Sequence, residues 1–340
     1  MRAPQPGRPA ALRVVRGKLR PGAAGTATRT AADAARRLLP APPLPGWILP
    51  GRRSNDAEPM RSHILHGDPA RTPLVLDSPH SGFHFPADFD AIVSEFDLRD
   101  GEDCFVDELY LPATELGVPL LAAQFPRTYL DPNRHAGDID LKLMEGGHWP
   151  HEHVPSGKAR IGKALIWRTL DDGRAIYGRK LRVEEVVGRI ERCHAPYHRA
   201  LVELMDAAHA RFGQVYHLNC HSMPHVGGKM GEGGEGLARA DFVLGDRDGT
   251  TCSRAFTHFV ADTLSEFGYE VAINDPYKGV ELVRAYSDPA RGRHSLQVEI
   301  NKRLYMDEAS RTRHAGFDAL RRDLSTLVEA VLDYARRAAR

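Results

Sequence analysis

From about Ser62 onward the chain alternates short apolar runs with longer stretches whose apolar residues recur at helical spacing. The short runs predict strands at Leu74 to Leu76, Pro119 to Phe125, Val215 to Leu218, Phe242 to Leu244, Glu270 to Ile273 and Leu296 to Ile300. Val183, Val186, Val187, Ile190 and Cys193 share a helical face, as do Leu201, Leu204, Met205 and Ala208 beyond Pro196, which predicts one long or kinked amphipathic helix. Leu320, Leu324, Leu327 and Val331 predict a closing helix, and Gly227 to Gly234 reads as a flexible loop. Strands alternating with helices are the pattern of an α/β domain, and no internal repeat interrupts it.

Composition fits that picture. A chain of 340 residues that is 42% hydrophobic and 27% charged can bury a substantial core, and one catalytic domain over 60–340 plus a leading segment is the economical division. Residues 1–59 are rich in Arg, Ala, Pro and Gly, a composition that predicts disorder. An Arg-rich leader of this kind also suits an organelle transit segment, but the Pro-rich stretch from Leu39 to Pro45 breaks an amphipathic helix, and a natural start at Met60 is the reading favoured here. This leader holds eleven Lys/Arg against three Asp/Glu, leaving 35 against 42 in the rest. The mildly acidic remainder argues against nucleic acid as a partner. Cys104, Cys193, Cys220 and Cys252 show no CxxC spacing, which speaks against a zinc knuckle or redox pair and for a reducing, cytoplasmic setting. No apolar run approaches the ~18 residues of a membrane helix.

The candidate chemistry sits at the predicted strand ends. His80, in Ser78-Pro79-His80-Ser81-Gly82, and His221, in Asn219-Cys220-His221-Ser222, each follow an apolar run, where open α/β sheets place their active groups. A single histidine at a turn more often caps the backbone, so neither is decisive alone. Glu299 alternates with Val298 and Ile300, which places it with Gln297 and Asn301 on a polar face that either meets solvent or lines a cleft, where it would serve as a general base. Asp103 and Asp107 fall one helical turn apart; one could ligate a metal while the other orients a histidine, or both could simply favour a helix start. Arg127, Asn133 and Arg134 follow a predicted strand and suit recognition of a carboxylate or polarisation of a carbonyl. Arg168, Lys278 and Arg284 are further candidate anion binders.

Together, SPHSG at 78–82, EDCFVDELY at 102–110, FPRTYLDPNR at 125–134, NCHSMP at 219–224, LGDRDGTTCS at 244–253 and the stretch from NDPYKGVELVR through LQVEINKRLYMDE at 274–308 closely resemble the N-formylglutamate amidohydrolase family. That resemblance implies a three-layer mixed β-sheet flanked by helices, phosphorylase/hydrolase-like and similar to the zinc carboxypeptidase and aspartoacylase group. It implies one Zn2+ per chain, or another divalent ion, held by His80, Asp103 and His221, with Asp107 as the second choice of acid or as the residue behind a ligand. Carboxypeptidases place Glu three residues after the first His; here position 83 is Phe, which moves the acidic ligand to Asp103. Glu299 and Arg134 take catalytic roles, and Asn133, Arg127, Arg168, Lys278 and Arg284 the substrate. The implied reaction is hydrolysis of N-formyl-L-glutamate to formate and L-glutamate, the last step of one histidine-degradation route, by a monomer or homodimer with no nucleic-acid or membrane partner. The alternatives are an amidase or carboxypeptidase for another N-acyl amino acid or peptide, and a catalytically silent metal- or ligand-binding member.

Overall fold

The computed structural model describes residues 61–229, 232 and 234–339. The expectations for residues 1–59, and the part of the glycine-rich loop at Met230, Gly231 and Gly233, lie outside them. Seven strands form the main sheet: β1 His63–His66, β2 Leu74–Ser78, β3 Leu120–Ala123, β4 Val215–Met223, β5 Phe242–Gly245, β6 Val271–Ile273 and β7 Arg293–Asn301. Their order is β1-β3-β2-β4-β7-β5-β6. The centre, β3-β2-β4-β7, is parallel, whereas β1 and β5 run antiparallel to their inner neighbours.

Alternation along the strands sorts side chains between two cores. Leu74, Leu76, Tyr216, Leu218, Cys220, Leu296, Val298 and Ile300 point into one. Helices α1 Glu95–Leu98 and α2 Val106–Tyr110 precede β3, and α3 Val183–Arg189 and α4 Ala195–Phe212 precede β4. Helices α5 Arg254–Glu266, α6 Glu281–Tyr286 and α7 Gly316–Ala338 complete the set. The first core lies under α2, α5 and α7, with Leu320, Leu324, Leu327 and Val331 of α7 buried in it as their spacing predicts. Val75, Leu121 and Val215 point to the other face, beneath α3 and α4. Helices on both faces make the expected three-layer mixed α/β architecture.

The expected kinked helix is continuous from Val183 to Phe212 but passes through a π-helical stretch at Ile190–His194, just before Pro196. Such a widened turn accommodates the N–H that Pro lacks and is frequent at functional sites. One α-helical turn apart from its last residue onward, His194 and His198 stack with ring centroids 3.9 Å apart. All four cysteines are free and buried.

Candidate active site

β4 runs on to Met223, so His221 lies within a strand rather than at a turn beyond it. Its inward neighbours alternate as His217, Asn219 and His221, a polar stripe buried in the sheet centre that holds together because each member is hydrogen-bonded. Asp77 of β2 is the hub: it accepts from His217 Nε2 at 2.8 Å, Asn219 Nδ2 at 2.7 Å and the Tyr197 hydroxyl at 2.7 Å. Burial disfavours its charge, but His217, Asn219 and Tyr197 hold its carboxyl below the ordinary range. Asp77 and His217 with Ser295 have the residue types of an acyl-transfer triad, yet all three are fully buried and away from the cavity. They brace the sheet.

His80 follows β2 in the turn that opens at Pro79. Gly82 is required there, because a Cβ would come within 2.5 Å of the Gln124 and Phe125 backbone. The His80 carbonyl accepts Asp103 N at 3.0 Å. Phe105, left-handed at φ 64°, starts α2 only afterwards. Asp103 and Asp107 therefore do not share a helical face, a correction to the spacing argument. Asp103 Oδ2 lies 3.0 Å from His221 Nδ1 and 3.3 Å from His80 Nδ1. The ligand atoms of the three buried residues all lie within 4.8 Å of one another.

The far side of each ring fixes its tautomer. His80 Nε2 donates to Asp131 Oδ1 at 2.8 Å; His221 Nε2 has Asn219 Oδ1 at 2.7 Å, an amide oriented by its bond to Asp77, and Asn133 Nδ2 at 3.3 Å, and the much shorter contact to an oxygen puts the proton on Nε2. With Nε2 protonated, both Nδ1 lone pairs and a carboxylate oxygen converge. Three converging acceptors repel unless a cation or proton sits among them, and this donor set fits a divalent metal ion. Asp131 and Asn219, not Asp107, take the position behind the two imidazoles. Asp107 instead has its N–H on Ser81 Oγ at 3.2 Å, and burial pushes its carboxyl up to about 6. Burial likewise opposes the Asp131 charge, but Arg127 and then His80 hold it well below the ordinary carboxylate range.

A cavity of about 750 Å3 opens over this cluster. Glu299 of β7 stands beside His221 in the parallel β4/β7 register and lines it. Its Oε1 accepts from Gln297 Nε2 at 2.9 Å, and burial pushes its pKa up to about 7. Arg127 lines the cavity with Nη2 2.8 Å from Asp131 Oδ2. Arg134 does so too, fixed by the Asn133 and Lys163 carbonyls. Asn133 is on the same wall, its Oδ1 taken by Leu282 N at 2.9 Å. Lys278 reaches the rim but pairs with Asp248. Arg168 and Arg284 are not among the lining residues: Arg168 pairs with Asp140, and Arg284 with Glu281 on the exposed face of α6. In their stead the walls carry Lys163, Arg239, Lys302, Trp167 and Tyr277, none of them among the candidate site residues, together with Gln297, which the strand alternation places beside Glu299. Asp131 lies within FPRTYLDPNR, Tyr277 within NDPYKGVELVR and Lys302 within LQVEINKRLYMDE, but LDPN reads equally as a turn and an isolated Tyr or Lys carries no local sign of its role.

A mixed α/β sheet with a His-Asp-His cluster and a buried glutamate at the ends of its parallel strands defines a hydrolase-type α/β protein with a candidate metal centre. The chain belongs to the N-formylglutamate amidohydrolase family, whose model matches residues 72–306. It is 46% identical to the N-formylglutamate amidohydrolase of Ralstonia eutropha JMP134, whose crystal structure matches with a TM-score of 0.76, covering 82% of this chain and all of that one. It is 29% identical over 279 residues to the N-formylglutamate deformylase of Pseudomonas aeruginosa, covering 79% of this chain and 93% of the relative. It is also 29% identical over 254 residues to the deformylase of Pseudomonas putida, covering 72% and 86%.

Proposed function

We propose that residues 60–340 act as a single catalytic domain, a metal-dependent amidohydrolase that converts N-formyl-L-glutamate to formate and L-glutamate. The observation that carries this reading is the convergence of His80, Asp103 and His221 on one cavity wall with Glu299 on the adjoining strand, in a chain of this family. His80, Asp103 and His221 would hold the ion. Imidazole and carboxylate donors suit zinc, with cobalt or manganese as substitutes. Zinc bound there would polarise the formyl carbonyl and make a water more acidic.

Glu299 accepts the attacking water's proton and returns one to the amide nitrogen as the C–N bond breaks, leaving formate and the free amine. A pKa near 7 suits a group that must both take and give a proton at neutral pH. Arg134, anchored through backbone carbonyls, keeps part of its guanidinium for the acyl oxygen or a substrate carboxylate, and Asn133 and Arg127 adjoin it. Among the described residues no helix is long and apolar enough to cross a membrane. The four free thiols fit a reducing cytoplasmic compartment, and the reaction suits the end of histidine breakdown.

The test is metal analysis combined with formate release. The purified chain is expected to carry close to one metal ion and to hydrolyse N-formyl-L-glutamate. Chelation should abolish turnover, and zinc should restore it. Full activity in a chain rigorously freed of metal would refute the proposal.

A further inference from the structure

The cations around the cavity divide by their partners. Most have a carboxylate within ion-pair distance, including Arg127, Lys163 and Lys278. Arg239 and Lys302 do not: among the described residues their hydrogen bonds go only to carbonyl oxygens, Pro224 and Glu232 for Arg239 and Glu102 for Lys302. Both are buried, with 8% and 7% of their surface exposed, and both line the cavity. The opposing charge felt by Arg239 is that of Glu299, beyond ion-pair distance and itself held toward its neutral form by burial, and a buried charge so weakly matched is unfavourable unless something supplies a counter-ion.

Arg239 is the better built of the two for a carboxylate. A guanidinium offers a planar fork that takes both oxygens, whereas an ammonium is a point charge already directed at Glu102 O. The guanidinium carbon lies 5.1 Å from the centre of the Tyr277 ring, a contact that fixes its plane without neutralising it. Its two carbonyl contacts leave the remaining N–H groups of the fork for the cavity. The backbone is equally constrained: Arg239 N donates to His225 O at 2.9 Å, and Arg239 O accepts from Asn301 Nδ2 at 3.1 Å, two residues beyond Glu299 on β7. The guanidinium is thus held at the end of the strand that carries the proposed base.

We propose that Arg239 binds the side-chain carboxylate of the substrate and thereby sets a preference for acidic acyl-amino acids. Only the identity of the acyl group rests on the reaction proposed above; the anchor itself requires a carboxylate ligand and nothing more. The competing role is a staple that merely holds the chain at Pro224 and Glu232, which would affect all substrates alike.

The experiment compares wild type, R239Q and R239K in formate release from N-formyl-L-glutamate and N-formyl-L-glutamine, and in thermal stabilisation by glutarate. In R239Q, KM for N-formyl-L-glutamate should rise on the order of 100-fold with a much smaller change in kcat, as loss of one partner of a desolvated charge pair requires. Its kcat/KM for N-formyl-L-glutamine should hardly change, and R239K should recover part of the loss. Glutarate should raise the melting midpoint of wild type and R239K but not that of R239Q. Equal losses on both substrates, or glutarate stabilising R239Q as much as wild type, overturns the anchor. A wild type that releases no formate but is stabilised by glutarate through Arg239 refutes the proposed reaction and leaves the anchor standing.

Discussion

Replacing Asp77 tests whether the sheet centre is held by the hydrogen-bond hub described above. The carboxylate is fully buried and accepts three bonds, from His217, Asn219 and Tyr197. Asp77→Ala strands all three donors, and each buried donor left unsatisfied costs about 1–3 kcal/mol. Water entering the hole and rearrangement of the Tyr197 hydroxyl would recover part of the sum, so the expected loss is about 5 kcal/mol. Asp77→Asn keeps one oxygen for His217 and Asn219, which both bond Oδ1, and turns its NH2 toward the Tyr197 oxygen, which can accept. Only the charge assistance is lost, about 2 kcal/mol.

For a chain of this size roughly 2 °C accompanies each kcal/mol, so the midpoints should fall by about 10 °C and about 4 °C respectively. Calorimetry in the presence of a chelator separates this from metal linkage. Asn219 connects the hub to His221, so a parallel metal titration should show affinity falling about tenfold or more in Asp77→Ala. Equal midpoints for the two variants, or both within about 0.5 kcal/mol of wild type, would refute the hub.

Two further outcomes are expected. Glu299→Gln should lower kcat by roughly 10²- to 10⁴-fold while metal content, measured by mass spectrometry, stays at the wild-type level; coincident loss of metal would place Glu299 among the ligands instead. His194 and His198 are both held below the ordinary histidine value, His194 by burial despite the Arg134 carbonyl and Glu281, and His198 by burial and the charge of His194, with His135 adding to each. A buried imidazole that stays neutral makes the unfolded chain bind more protons below about pH 6.5, so this contribution is complete above that value and declines as pH falls, by up to about 1.4 kcal/mol per pH unit for each ring. Urea midpoints for wild type and His198→Gln between pH 7.5 and 5.5 should therefore converge toward the acid end, the difference cancelling other titrating groups such as Glu299; parallel curves would refute the assignment.

What the sequence conveyed follows from which interactions are local. In β7 the alternation of Val298 and Ile300 against Gln297 and Glu299 is intrinsic to an extended chain, and the structure sends the first pair into the core and the second to the cavity. Strand β1, His63–His66, is not legible in the sequence because an edge strand needs only a short apolar signal and this one has polar ends. The apolar signal of β4 ends at Leu218 for the opposite reason: its continuation is polar, and a buried polar strand is stable only through partners such as Asp77, 142 positions away from Asn219. Arg284 had its neutralising Glu281 three residues away, a partner already visible in the sequence. Arg239 has no such neighbour among its contacts, and only the assembled cavity reveals that it faces the Glu299 side with no carboxylate within ion-pair distance.

The division of labour between strands and turns explains why the candidate site draws on so many distant segments. His221, Asn219 and Glu299 belong to paired central strands, where a shift in register would move every side chain to the opposite face. They form the fixed half. His80, Asp103 and Asp131 come from three connections that reach across to that half through the His80 carbonyl, the shared Asp103 oxygen and the His80 to Asp131 bond. Each loop is thereby tied to a strand-borne group or to another loop already so tied, and the tolerance on the cluster is set by the sheet rather than by the loops. The helix that carries the π-helical stretch ties down the Asn133–Arg134 wall of the cavity: His194 and His198 lie against the carbonyls of Arg134 and Pro132, at 3.0 and 2.7 Å, on either side of Asn133. The two rings are four residues apart and share one face of the helix, and the widened turn that ends at His194 changes the phase of Val183–Arg189 relative to both, so the helix can present the pair to the segment that delivers Arg134 while α3 keeps its own buried face.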